Sequence, residues 1–221
     1  MKNEHKIMEG IAAAIPIDNL DTDQIMPKQF LRGIDKSGLD KGVLYDLRHD
    51  TNGEPRPDFI LNRPEYAQAS ILVAGPNFGC GSSREHAVWG LMQFGIKAVI
   101  APSFGEIFYS NAINNGLLLA MPPEEEWQVL MDEVASADKP LHLCIDVENL
   151  TVTSPGMAIP FRLSRRHQGM FLDGVDMLGT TLAHLDAIRA FAQRWHEQHP
   201  WLKDVAQTAH GRLYTAASNK E

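Results

Sequence analysis

The segment from Ile71 to Ala101 leaves this chain few choices of fold. Ile71-Leu-Val-Ala74 is a short, branched, apolar run bounded by Gly75-Pro76, the pattern of a buried strand. A glycine-rich turn follows, Asn77-Phe-Gly-Cys-Gly-Ser-Ser83. From Arg84 onward His86, Ala87, Trp89, Gly90, Leu91 and Phe94 fit one helix of about three turns, and Gly95 stands where a left-handed cap belongs. Lys97-Ala-Val-Ile-Ala101 reads as the next strand, so the whole predicts a parallel strand–loop–helix–strand unit. Open α/β sheets place their chemistry at the carboxyl ends of strands. Ser82, Ser83 and Arg84 fall there, at the first turn of the helix, where unpaired amides and the positive end of the helix dipole converge. An anion is expected at that spot.

The nature of the anion narrows by exclusion. Gly79-Cys-Gly-Ser-Ser-Arg84 has the first two glycines of a dinucleotide fingerprint but arginine where the third belongs, and Gly75 to Gly81 lacks the Lys-Ser/Thr ending of a phosphate loop. Nor is Gly81-Ser-Ser-Arg84 a nucleophile elbow, which needs glycine two residues to either side of the serine. A guanidinium beside a helix N-terminus suits a carboxylate, which it grips with two parallel hydrogen bonds. On residue types alone Ser82 and Ser83 also read as helix caps. Two other classes stay open: a serine hydrolase pairing Ser82 with His86, and a non-catalytic carboxylate-binding module that relies on Arg84.

Three runs carry a more specific resemblance. Asp18-Asn-Leu-Asp-Thr-Asp-Gln-Ile25, Asn77-Phe-Gly-Cys-Gly-Ser-Ser-Arg-Glu-His-Ala87 and Ser103-Phe-Gly-Glu-Ile-Phe-Tyr-Ser-Asn-Ala-Ile-Asn-Asn-Gly-Leu-Leu118 resemble, at family-like spacing, the mobile swivel domain of the aconitase superfamily. Among its members the chain is similar to the small subunits of bacterial 3-isopropylmalate dehydratase, from about Ile7 to Ala190. Val88 departs from the pattern, proline being expected after His86-Ala87, and the tail beyond Gln198 is longer than the family's.

The resemblance implies an α/β swivel domain, mixed β-sheets with flanking helices in β/β/α layers, over residues 1–198, with a polar tail over 199–221. It implies half of the active site of a hydro-lyase that isomerises 2-isopropylmalate to 3-isopropylmalate through isopropylmaleate in leucine biosynthesis. Related hydratases of homoaconitate, citraconate or a substituted maleate are the neighbouring alternative. Ser82 is then the alkoxide that removes the C–H proton beside a substrate carboxylate, and Arg84 binds that carboxylate. Ser83, Thr22 and Asp23 lie near the substrate, Leu31 touches the isopropyl group and Arg32 a carboxylate. Read without the family, Leu31 is a buried leucine and Arg32 a surface arginine. Asp18 to Asp23 is then a solvated loop whose Asp or Thr caps the next helix; as a Ca²⁺ loop it lacks the required glycine and distal glutamate.

Dehydratases of this superfamily use a 4Fe–4S cluster as Lewis acid on the substrate hydroxyl, and such a cluster needs about three or four thiolates. The chain has two cysteines, Cys80 and Cys144. The resemblance therefore puts the cluster on a separate large subunit and no cofactor or metal on this chain. A net charge of −8 without a basic cluster argues against nucleic acid or an anionic membrane surface. No long apolar segment is present, and few cysteines fit a reducing compartment, so a cytoplasmic protein is expected.

Elsewhere the pattern predicts a strand over Ile7–Ile17 broken by Pro16, a polar excursion over 45–64, and a helix opened by a capping box at Ser103-Phe-Gly-Glu106 and closed by Gly116. Asn111, Asn114 and Asn115 read as helix-end hydrogen-bonding groups. A strand over 117–120 precedes a helix that buries Trp127, Leu130, Met131 and Val134. A hairpin spans Leu141 to Thr153, with Cys144 as a small core residue, and Ala158–Leu163 forms a further strand. Helices follow over 164–172 and 181–198, the latter expected to bury Leu185, Ile188, Phe191 and Trp195.

Overall fold

Strand β1 (Ile7–Ile15) sets the plan of the molecule. Its first half is only partly covered, whereas Ala12 to Ile15 are buried on both faces. The change follows its neighbours. Ile7–Ile11 pairs antiparallel with β5 (His142–Asp146), and Ile11–Ile15 pairs parallel with β2 (Ala69–Ala74), which is buried throughout. A register shift between Ile11 and Ala12 marks the handover. β3 (Ala98–Ile100) and β4 (Leu118–Ala120) extend the parallel side; β6 (Thr151–Thr153) and β7 (Ala158–Pro160) extend the antiparallel side. The result is a seven-stranded mixed sheet of order β4-β3-β2-β1-β5-β6-β7. The structure is a computed structural model and describes residues 6–31 and 36–218.

Two short helices, α1 (Thr22–Ile25) and α2 (Tyr45–Arg48), lie in the long connection between β1 and β2. The crossovers are α3 (Glu85–Phe94) after β2, α4 (Glu106–Asn115) after β3 and α5 (Glu124–Ser136) after β4, while α6 (Arg165–Asp173) follows β7. Alternation along the parallel strands separates two cores. Ala13, Ile15, Leu72, Val99 and Leu119 face α3 and α4; Ala12, Ala14, Ile71, Val73 and Ile100 face α5, α6 and the antiparallel strands. The sheet curls until its edges meet, the Arg162 N–H beyond β7 donating to Met121 O beyond β4 at 2.9 Å. This is the expected mixed α/β architecture.

The glycine stops act where the sequence puts them: Gly95, Gly116 and Gly174 cap α3, α4 and α6 in left-handed conformation. Cys144 does not join the core. Leu143, Ile145 and Val147 point inward, so the two-residue period of β5 places Cys144 on the other face, opposite Glu9 and Thr153.

The chain divides into two compact units, Met1–Met177 and Leu178–Glu221. The second unit follows from α7 (Met177–Leu182) and contains α8 (Leu185–Gln198), a 3-10 turn over Pro200–Leu202 and α9 (Val205–Ser218). The apolar stripe on α8 is present but uncovered, with Ile188 44%, Phe191 57% and Trp195 41% exposed. Instead of a core, Phe191, Trp195 and His199 stack along one side of the helix.

Candidate active site

Parallel strands deliver their carboxyl ends side by side, and here three consecutive strand–helix loops are laminated there. Gly79 N–H donates to Leu20 O at 2.7 Å and Thr22 N–H to Cys80 O at 2.9 Å, joining the loop after β1 to the loop after β2. Phe78 N–H donates to Ser103 O at 3.2 Å and Gly105 N–H to Phe78 O at 2.9 Å, joining the latter to the loop after β3. Phe78 is the anchor: fully buried, it packs edge-on against Phe108 at 5.4 Å and Phe104 at 6.3 Å. Trp127 pins the end of β2, its buried indole N–H donating to Ala74 O at 2.9 Å.

The lamination leaves no room for side chains at its contacts. Gly79 has φ +74°, and a Cβ there runs into the Phe108 ring; a Cβ on Gly105 lies 2.5 Å from the Gly79 carbonyl oxygen. Asn19 and Asn77 are also left-handed, and Asn77 Nδ2 donates to Asn19 Oδ1 at 2.8 Å across the two loops. Ser103 belongs to this network. Its Oγ accepts from Asn77 N–H at 2.9 Å, so it does not make the expected capping box; the N-cap of α4 is Gly105, with no side-chain cap. The capping box stands instead at α1, with Asp21 and Gln24 bonded reciprocally.

Five of the predicted residues lie where the loops end. Thr22 is 1% exposed, and its hydroxyl donates to Ser82 O at 2.8 Å, tying the serine's backbone to the first turn of α1. Arg84 occupies the N-cap position of α3, and its guanidinium, 14% exposed, ion-pairs with Asp23. Lys28 Nζ stands 3.9 Å from the other Asp23 oxygen. Ser82 and Ser83 are exposed in the loop just before the helix, which starts at Glu85 rather than at the serines. Neither hydroxyl forms a hydrogen bond among the described residues, so neither caps α3. The Glu85 and His86 amides keep no backbone partner there, Ala87 N–H being the first to bond, to Arg84 O at 3.2 Å. His86 packs on Trp89 at 4.8 Å instead of bonding Ser82. The loop and helix start thus present two exposed serine hydroxyls, a guanidinium held by Asp23 and two amides without a backbone partner, groups that suit an anion such as a carboxylate.

The Aconitase C-terminal domain family model matches residues 2–124, and the model of the C-terminal domain of the 3-isopropylmalate dehydratase small subunit matches residues 178–205. The 3-isopropylmalate dehydratase small subunit 1 of Chromobacterium violaceum is 61% identical over 209 residues, covering 95% of this chain and 98% of that protein. The chain belongs to the 3-isopropylmalate dehydratase small-subunit family. The small subunit from Phenylobacterium zucineum is 47% identical over 89% of this chain and 96% of its own. A crystal structure of 3-isopropylmalate dehydratase from Methanocaldococcus jannaschii superposes with a TM-score of 0.60 at 28% identity, over 84% of this chain and 99% of that one.

In this member of the family the remaining predicted residues are less central. Leu31 ends the 3-10 turn Lys28–Phe30 and is half-buried against the core on the α3 side. Arg32 lies outside the described residues. The two cysteines sit apart, Cys80 in the loop with its thiol donating to Asn19 O at 3.3 Å and Cys144 on β5. Among the described residues no three His, Cys, Asp or Glu side chains converge on a metal position, and two cysteines are fewer than the three or four thiolates that hold an iron–sulfur cluster. No helix among them is long and apolar enough to cross a membrane. A shallow cleft of about 350 Å³ beside Met8, Glu9, Met92 and Lys97 includes none of the site residues.

Sequence reasoning gave Asn115 only a helix-end hydrogen-bonding role. It bridges two helices, Nδ2 donating to Glu85 Oε1 at 2.7 Å and Oδ1 accepting from the Trp89 indole at 2.9 Å, in addition to the local bond to Asn111 O. A carboxamide at a helix end has no sequence signature that separates capping from such a bridge. Asn19 and Asn77 did carry a signal, since asparagine is the residue other than glycine that most readily turns left-handed.

Proposed function

We propose that this chain is the small-subunit half of 3-isopropylmalate dehydratase, a lyase subunit of leucine biosynthesis, and that Ser82 and Arg84 are its catalytic pair. The observation that carries the assignment of roles is the pairing, in the loop after β2, of an exposed Ser82 whose backbone Thr22 holds with an Arg84 whose guanidinium Asp23 holds. Arg84 binds the substrate carboxylate bidentately while Asp23 holds its orientation. Ser82 as alkoxide takes the proton from the carbon next to that carboxylate. The alkoxide is favoured by Arg84 and the free amides once the site closes against water. Loss of hydroxide from the neighbouring carbon gives isopropylmaleate. Readdition of water with the positions exchanged returns 3-isopropylmalate, Ser82 giving its proton to the carbon that lost the hydroxyl. Thr22 fixes the Ser82 backbone, Ser83 contributes to substrate binding, and Leu31 and Arg32 read the isopropyl group and a carboxylate.

The Lewis acidity toward the departing hydroxyl is assigned to a 4Fe–4S cluster on the large subunit, because two separated cysteines cannot hold one here. The complete site is thus formed at a subunit boundary in the cytoplasm. Anaerobic reconstitution with an iron–sulfur large subunit of the isopropylmalate type, followed by the ultraviolet absorbance of isopropylmaleate, tests the reading. Turnover is expected only in the mixture. Turnover of citraconate but not isopropylmalate moves the chain to a related hydratase. No turnover of any substrate by a verified complex leaves a carboxylate-binding module.

A further inference from the structure

Helix α8 is 14 residues long and buries none of them. A helix of that length is marginal in water by itself and is ordinarily held by the packing of its apolar face. None of residues 178–211 is buried, so the second unit does not supply that packing from within. It presents a row of rings instead. Phe191 stacks on Trp195 with centroids 5.9 Å apart, Trp195 stacks on His199 at 4.1 Å, and His199 meets Trp201 edge-on at 5.3 Å. Ile188 continues the row one turn toward the start of the helix.

Area and charge together narrow what can cover this face. Phe191, Trp195 and Trp201 are 57%, 41% and 69% exposed. With about 150–250 Å² to each such ring, the three leave roughly 300 Å² uncovered. A stable interface takes about 800 Å² from each side, so the row is too small to hold two copies of this chain together and suits a second attachment for a partner held elsewhere as well. At 100° per residue Arg189 and Arg194 flank the stripe on opposite sides, while Asp186 and Glu197 fall on the far side of the helix. Both arginines are exposed, and neither forms an ion pair among the described residues. Two copies joined through the stripe would set arginine against arginine at its edges, which disfavours self-pairing. An aromatic centre edged by arginine has the residue types that dominate binding energy at interfaces.

Resting on the function proposed above, which gives the chain a large-subunit partner, we infer that the face formed by Ile188, Phe191, Trp195, His199 and Trp201 docks in an apolar groove of that subunit whose edges carry carboxylates. It holds the two chains together and takes no part in the chemistry. Biolayer interferometry with the anaerobically reconstituted large subunit, at low and high salt, tests this alongside turnover at saturating large subunit. Phe191→Ser with Trp195→Ser is expected to raise Kd at least about tenfold and to leave kcat at saturation within about twofold. Arg189→Glu with Arg194→Glu leaves the rings in place, so it serves should the serine variant misfold. It is expected to raise Kd several-fold at low salt and less at high salt. Unchanged Kd in both variants overturns the docking face. A weaker serine variant beside an unaffected glutamate variant overturns the carboxylate edges. A dimer of the chain alone, seen by sedimentation velocity and dissolved by the serine changes, makes a second copy the occupant and overturns the assignment, as does ring-dependent retention of the chain by phosphatidylserine vesicles. A parent chain that neither binds the large subunit nor turns over with it overturns the function on which the inference rests; a parent that turns over beside variants that bind equally well overturns the inference alone.

Discussion

At the scale of single residues the site separates chemistry from support. Ser82 is exposed and unbonded, and its backbone is held by Thr22, so removing its oxygen disturbs no contact. Ser82→Ala is expected to leave the urea midpoint and partner association unchanged and to lower kcat by at least about a thousandfold, the loss typical of a missing general base. Near-normal turnover would assign the proton to another group. Arg84→Lys keeps the charge but not the two-pronged geometry or the fit to Asp23, and kcat/KM is expected to fall about ten- to a hundredfold.

Among the elements, the laminated loops and the α4–α6 contact make separable predictions. In Gly105→Ala the added methyl meets backbone, Gly79 O at 2.5 Å and Cys80 Cα at 2.9 Å, which cannot yield as a flexible side chain does. A loss of about 1–3 kcal/mol is expected by urea unfolding, with kcat lowered because the displaced backbone leads directly to Ser82. The Tyr109 hydroxyl on α4 shares a hydrogen bond of 3.1 Å with His167 Nδ1 on α6. Desolvation, and then the Arg166 charge, lowers the His167 pKa, while desolvation raises that of Tyr109. The unfolded chain therefore binds the His167 proton more tightly. Its stability contribution is complete above the ordinary value of 6.5 and declines as pH falls through the window just below it. Urea midpoints taken from pH 5 to 8 should rise with pH, and His167→Gln should flatten the part of that rise lying just below 6.5. An identical slope in the variant would remove His167 from the account.

For the whole molecule, burial is unevenly distributed between the two units. Phe78 is fully buried within the loops, and its replacement by alanine is expected to cost about 3–5 kcal/mol. Phe191 and Trp195 are as apolar but 57% and 41% exposed, so Phe191→Ser with Trp195→Ser is expected to cost less than about 1 kcal/mol in the same urea assay. A cost comparable to that of Phe78→Ala would show that the α8 stripe is covered in solution.

The order of the parallel strands and their helices, the glycine stops and the glycine-rich loop after β2 were legible in the sequence because each rests on local physics. A branched apolar run, a left-handed glycine and a period of 3.6 or 2 act within a few residues. The cysteine count, two against the three or four thiolates that hold a cluster, was equally readable before any fold was known. What lay beyond reach depended on which neighbour a group meets. Ser103 has the spacing of a cap, yet its hydroxyl accepts from Asn77 N–H in the adjacent loop, a neighbour that spacing alone does not reveal. Cys144 alternates like a core residue, but only the pairing of β5 with β1 decides which set of alternate side chains faces inward. The stripe on α8 has the period of a buried face, and a period states which residues share a side without stating that anything covers it. Arg84 was singled out by its place in a motif; its ion pair with Asp23 required the tertiary structure, since it joins residues that only the packed sheet brings together.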